Sequence, residues 1–181
     1  SSALIYTRGA VTFDEGSTVN IDIKNADRYR RNTDSVIYIN NGSLTLKKGA
    51  VVTVGKNSDG DLQRTLIYLN GADSKIVLAE NAQLKLTNEK GLKTTNDIYM
   101  YNGGVIRING KGAKLDIKNS GDTDYGNVYI GGAGNVFVND GGTLIIQNKA
   151  EKENTLLYTY GSATLSFGKG ANVELKGSVA G

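Results

Sequence analysis

Residues 35–57 read SVIYINNGSLTLKKGAVVTVGKN, and this stretch decides the fold. Aliphatic and polar residues alternate in three short runs, as they do in β-strands whose successive side chains point to opposite faces. Glycine and asparagine stand between the runs, and both favour the tight turns that join short strands. The stretch therefore predicts three short strands connected by sharp corners.

The same pattern returns along the whole chain, each time with a tyrosine that directly follows an aliphatic residue. Six tyrosines, separated by 32, 30, 31, 30 and 29 residues, mark the repeats: Tyr6, Tyr38, Tyr68, Tyr99, Tyr129 and Tyr158. A fixed period of this length indicates a solenoid, in which each coil buries its apolar side against its neighbours. Equivalent residues of successive coils then lie roughly 4.7–4.9 Å apart, so the tyrosines should form one column.

We therefore predict an all-β fold, a right-handed single-stranded parallel β-helix (β-solenoid) of about six coils of roughly 30 residues with three strands per coil. The residues that flank each tyrosine are mostly aliphatic and are expected to point inward, so the tyrosine should point outward. A corner is predicted before each third strand, at Gly16, Gly49, Asn81, Gly112, Gly141 and Gly170. Asparagines that close the third strands are expected to stack as an amide ladder: Asn25, Asn57, Asn88, Asn119 and Asn148. Residues 1–181 are interpreted as a single domain, excised from a longer solenoid.

Composition excludes several functions. The chain contains no Cys and no His, so it has no disulfide framework, thiol nucleophile, imidazole base or soft-metal site. A net charge of +3 and the lack of a recognition motif argue against nucleic acid. No apolar run approaches the roughly 20 residues that cross a bilayer, so no membrane contact is expected of this domain.

The phrases NGSLTLKKGAVVTV, NGKGAKLDIKN and GSATLSFGKGANVEL, in a chain without His and Cys, resemble a known family. They are similar to the pectate-lyase-like β-solenoid domains of Gram-positive cell-wall-anchored adhesins, including lactobacillus epithelial adhesins and the binding regions of serine-rich repeat proteins. The resemblance implies an extracellular domain on the bacterial cell surface that attaches non-catalytically to host glycans, mucin or matrix, without a cofactor. It carries no short binding motif that can be transferred to this chain.

The candidate binding residues are therefore taken from this sequence alone. Tyrosine presents a flat apolar face to sugar rings and a hydroxyl for hydrogen bonds, which favours Tyr38, Tyr68 and Tyr99 as glycan contacts. Four arginines of the connections before the first strands should lie beside them: Arg28, Arg30, Arg31 and Arg64. Guanidinium groups pair bidentately with carboxylates and sulfates, so the expected partner is an anionic host or plant glycan or glycoprotein. The column could equally serve structure alone, through cross-strand ring packing in a stalk or spacer.

Two further chemistries have weaker support in the sequence. Asp59 and Asp61, and likewise Asp122 and Asp124, have a spacing that can hold calcium, but neither pair completes an EF-hand loop. A polysaccharide lyase would need clustered carboxylates, whereas a single outward Arg107 with a single Asp116 in one coil is not such a cluster. We therefore expect neither an enzyme nor a metal site.

Overall fold

The computed structural model describes residues 3–23, 35–55, 65–88, 96–123, 125–151 and 154–179. Within these ranges the chain forms three parallel sheets of six strands each, and consecutive strands of the chain belong to different sheets. The first sheet contains β1 (Ile5–Thr7), β4 (Ser35–Asn40), β7 (Thr65–Asn70), β10 (Ile98–Met100), β13 (Val128–Ile130) and β16 (Leu157–Thr159). The second contains β2 (Ala10–Phe13), β5 (Ser43–Leu46), β8 (Lys75–Leu78), β11 (Val105–Asn109), β14 (Asn135–Asn139) and β17 (Thr164–Phe167). The third contains β3 (Thr18–Asp22), β6 (Val51–Gly55), β9 (Gln83–Asn88), β12 (Lys114–Asn119), β15 (Thr143–Asn148) and β18 (Asn172–Lys176).

The arrangement is a parallel β-solenoid with three strands per coil, which confirms the predicted fold class. Each strand pairs with the strand three elements later in the chain, and the register follows the sequence repeat without a slip. Tyr6 pairs with Tyr38, for example, and Tyr99 pairs with both Tyr68 and Tyr129. Within the described residues no helix is long and apolar enough to span a membrane.

The core runs along the axis of the solenoid and is built from the inward side chains of all three sheets. Leu46, Leu78 and Ile108 illustrate one inward column of the second sheet, and all three are fully buried. The first and last coils are less well covered, because each has a neighbouring coil on one side only. Phe167 and Leu175 of the last coil are accordingly about half exposed.

The predicted corners before the third strands are confirmed by their backbone geometry. All six residues have positive φ angles, from 57° at Asn81 to 83° at Gly141. An ordinary side chain is disfavoured in this conformation, whereas glycine and asparagine adopt it readily. The repeated Gly or Asn therefore sets where each coil turns from the second sheet to the third.

Candidate functional site

The tyrosines of the first sheet form an unbroken column of rings on its outer side. Centroids of successive rings lie 4.7 to 5.3 Å apart over all six coils. This is close to the strand spacing, as expected for equivalent residues in register. The column predicted from the spacing of the tyrosines is therefore present.

The exposure of the rings varies along the column. Tyr38 and Tyr68, in coils two and three, are only 6% and 4% exposed. Val36 and Leu66 precede them at the outward parity of the same strands and are fully buried as well. The outer side of the first sheet is thus covered in coils two and three, and these two rings offer almost no surface to a ligand.

Tyr6 of the first coil is 50% exposed, and the other accessible rings lie together in coils four to six. We call this group the tyrosine surface, and its members are Tyr99, Tyr101, Tyr125, Tyr129, Tyr158 and Tyr160. Four of them are 38% to 62% exposed, and Tyr99 and Tyr129 are half-buried between them. The rings of Tyr99, Tyr101, Tyr125, Tyr129 and Tyr158 contact one another, with centroids 6.0 Å apart for Tyr99 and Tyr101 and 6.4 Å for Tyr125 and Tyr129. The result is a continuous aromatic face.

A glycine, Gly131, lies at the centre of the tyrosine surface. Tyr101, Gly131 and Tyr160 each follow directly after the paired residues of β10, β13 and β16, so they occupy equivalent positions in three successive coils. The backbone positions of Tyr101 and Tyr160 are therefore two strand spacings apart, roughly 9–10 Å. A Cβ atom on Gly131 would lie only 2.6 Å from Cε1 of Tyr129, so the Tyr129 ring occupies the space that a side chain at this position would need. Glycine at position 131 therefore allows the Tyr129 ring to lie close against the backbone.

The phenols of Tyr99 and Tyr129 remain neutral over the ordinary pH range. Burial, followed by the neighbouring phenols, raises the pKa of Tyr99 and of Tyr129 above its usual value. A neutral phenol can both donate and accept a hydrogen bond. The surface therefore combines apolar ring faces with hydroxyl groups, which is the combination that a sugar ring requires.

The predicted site is only partly described by the structure. Tyr38, Tyr68 and Tyr99 lie in one column as expected, and the Tyr38 hydroxyl accepts a hydrogen bond of 3.1 Å from Nδ2 of Asn70. The four arginines, namely Arg28, Arg30, Arg31 and Arg64, lie outside the described residues, so their position relative to the column stays a prediction. The sequence indicates that Tyr101 and Tyr160 widen the aromatic face, two positions after column tyrosines, but it does not separate coils four to six from the rest of the column.

A buried polar cluster beside the tyrosine surface was also missed. Asp97 is fully buried, and its carboxylate accepts hydrogen bonds from Nδ2 of Asn119, at 3.1 Å to each oxygen, and from Nδ2 of Asn127 at 2.8 Å. Burial raises the pKa of Asp97 to about 6, against the lowering effect of the two amide donors. The signal in the sequence was the pair Asp97 and Asn127, which replaces the aliphatic Val36 and Leu66 of the equivalent positions.

The predicted amide ladder is present between Asn88 and Asn119, whereas the Asn148 amide donates to the Gly121 carbonyl oxygen and to Oδ1 of Asn127. Nδ2 of Asn88 donates to Oδ1 of Asn119 at 3.1 Å, which confirms stacking between these two coils. Asn119 then donates to Asp97, and Asn148 donates to the Gly121 carbonyl oxygen at 3.2 Å. The ladder is therefore joined to the buried carboxylate; Asn25 and Asn57 lie outside the described residues.

The residues considered for lyase or calcium chemistry are engaged elsewhere or not described. The Arg107 guanidinium lies 4.7 Å from the centroid of the Phe137 ring on the second sheet. Asp116 lies on the third sheet, 3.9 Å from the Lys118 ammonium. Among the residues with a described position, no group of three or more acidic side chains could hold a metal ion. Asp59, Asp61 and Asp124 fall outside those residues.

Comparison of the chain with family models, with curated proteins and with solved structures finds no match.

Proposed function

We propose that this chain is a non-catalytic glycan-binding domain of a bacterial cell-surface adhesin, and that it binds through the tyrosine surface. The observation that carries the proposal is the exposure of tyrosine rings in mutual contact over three successive coils. Contiguous exposed aromatic patches are typical of binding surfaces in soluble domains, since they leave apolar area in water. The extracellular location and the anchored parent protein rest on the family resemblance.

The repeat geometry suits an extended polymer better than a single small sugar. Tyr101 and Tyr160 occupy equivalent positions on either side of Gly131, and the Tyr129 ring lies against Gly131. A chain of sugar rings that runs along the solenoid axis would meet one tyrosine after another at a regular rise. Such a surface would hold the polymer by many weak contacts rather than in one deep pocket.

A structural stalk is the second candidate, and one observation favours it. Tyr38 and Tyr68 are buried, so two of the six column tyrosines act in packing between coils. Ring pairs of this kind stabilise neighbouring strands without any ligand. The two candidates differ in one requirement: a glycan-binding domain needs the exposed rings, whereas a stalk does not.

The proposal is tested by replacing one exposed tyrosine in the last coil and one in the first coil. Tyr160→Ser removes a ring of the tyrosine surface, and Tyr6→Ser removes a ring of similar exposure in the first coil, outside that surface. Binding of the parent chain and both variants to a panel of mucins, pectins and glycosaminoglycans is measured by biolayer interferometry. We expect Tyr160→Ser to weaken binding about 2- to 12-fold, as for loss of one aromatic contact, and Tyr6→Ser to bind as the parent does.

Equal binding by Tyr160→Ser and the parent would place the site away from the tyrosine surface. Failure of the parent to bind any member of the panel would leave the stalk as the better description. Thermal unfolding of each variant accompanies the binding data, so that a loss of fold is not taken for a loss of contact.

A further inference from the structure

A second surface feature lies at the end of the third sheet, next to the buried asparagine ladder. It is a cleft of about 160 Å³ lined by Lys118, Asn119, Ser120, Gln147 and Lys149. Lys118 and Gln147 are paired in register on β12 and β15, and Ser120 and Lys149 follow two positions later on the same two coils. The four exposed or half-exposed side chains thus form a two-by-two array, with the lysines on one diagonal.

Every lining side chain that reaches the surface can donate a hydrogen bond. The two ammonium groups, the Gln147 amide and the Ser120 hydroxyl supply donors, and among the described residues no carboxylate lines the cleft. Lys149 makes no ion pair with any residue in the described ranges, while Lys118 has Asp116 at 3.9 Å, the limit of such a contact. The donors therefore remain available to an anion from outside.

The outer side of the third sheet around the cleft is also positively charged. Over coils three to six the third sheet and the position after it carry five outward lysines: Lys85, Lys114, Lys118, Lys149 and Lys176. Among the described residues its outward acids are Asp116 and Glu174, and Glu174 is already paired with Lys176 at 2.5 Å. An anion that approaches this face meets a net positive field, which favours its association.

We propose that this cleft is the anion subsite of the domain and that it binds a sulfate or carboxylate group carried by a polysaccharide. Lys118 and Lys149 supply the charge, and Gln147 and Ser120 bind oxygens that the lysines leave free. The inference rests on the proposed function, because it takes the ligand to be a glycan, and it specifies that the glycan is acidic. The proposed subsite lies in coils four and five, whereas the sequence predicted an anion contact at arginines of the first coils.

Dextran, dextran sulfate and carboxymethyl dextran test the subsite, because they share one backbone and differ in the acidic group. Lys118→Gln/Lys149→Gln removes both charges of the cleft. Lys48→Gln/Lys111→Gln removes two exposed lysines from another edge of the solenoid and changes the net charge equally. We expect the cleft variant to bind dextran sulfate or carboxymethyl dextran about tenfold more weakly than the parent, with a flatter salt dependence, and the control variant to bind as the parent does.

Equal losses in the two double variants would show attraction to net charge alone and would overturn the subsite. It would also be overturned if the parent bound neither acidic polymer, or bound them no better than dextran. A Tyr160→Ser arm separates this inference from the proposed function. Loss with the cleft variant and none with Tyr160→Ser retains the subsite and contradicts the role of the tyrosine surface; the reverse result contradicts the subsite alone.

Discussion

Lowering the pH from 7.5 to 5.0 should stabilise this protein, and the cause lies in Asp97. Its carboxylate is fully buried and is contacted by amide donors rather than by a cation. Because burial disfavours the charged form, the pKa of Asp97 is raised in the folded protein to about 6 from its ordinary value of 3.8. The folded state therefore binds the proton more tightly than the unfolded state, and protonation favours folding.

The size of the effect follows from the two pKa values. Their difference corresponds to about 3 kcal/mol, at 1.36 kcal/mol per pKa unit. This stabilisation is complete below pH 3.8 and is lost as the pH rises through about 6. Between pH 7.5 and 5.0 the linkage relation gives about 1.4 kcal/mol, or a rise in Tm of about 3 to 6 °C for a chain of this length.

Calorimetry at several pH values in this window measures the effect without interference from histidine, since the chain has none. Asp97→Asn removes the titrating group and should give a Tm that is independent of pH between 5.0 and 7.5, whatever its absolute stability. Asp14→Asn, which changes an exposed carboxylate, should keep the parent's pH dependence. A parent Tm that stays constant or falls on acidification, or a pH dependence retained by Asp97→Asn, would refute the reasoning.

Three other predictions concern the solenoid itself. Gly112→Ala places a side chain at a φ of 76° and should lower the free energy of unfolding, measured in urea, by about 1–2 kcal/mol. Gly9→Ala, which has open space around it, should lower this free energy far less. Equal losses of stability in the two variants would contradict the corner geometry. Leu86→Ala should cost about 2–5 kcal/mol, because the side chain is fully buried, and Leu175→Ala in the same inward column of the exposed last coil should cost clearly less. Burial and neighbouring phenols raise the pKa of Tyr68, so spectrophotometric titration at alkaline pH should lose a late-ionising group in Tyr68→Phe; an unchanged titration curve would contradict its burial.

The sequence was sufficient to predict the architecture because every coil carries the same information in the same order. Alternation fixes which side chains point inward, and the residue with positive φ fixes where the chain turns. Gly49 and Asn81 show that the corner is defined by the conformation rather than by one residue type, with φ angles of 71° and 57°. Register follows, because a slip of one residue would turn every aliphatic side chain of a strand outward.

The accessible part of the tyrosine column could not be predicted in the same way. Alternation shows that Tyr38 and Tyr129 leave their strands on the same side, but it carries no information on what lies over that side. The structure shows Tyr38 buried and Tyr129 half-buried. Exposure is a property of the neighbours of a residue, and those neighbours are far apart in the sequence.

The cleft of Lys118 and Lys149 could not be predicted from the sequence either. The two lysines are 31 residues apart and unremarkable within their own segments. They become neighbours because the repeat brings equivalent corners of successive coils together. The buried polar cluster connects this corner to the tyrosine surface, because Asn119 lines the cleft and donates a hydrogen bond to Asp97, two residues before Tyr99. Breaking the hydrogen bonds of Asp97 should therefore weaken ligand binding at both the tyrosine surface and the cleft. The test measures binding of a folded Asp97→Leu variant to neutral and to acidic polysaccharides. Weaker binding to both kinds of polymer would support this coupling. Unchanged binding would contradict it.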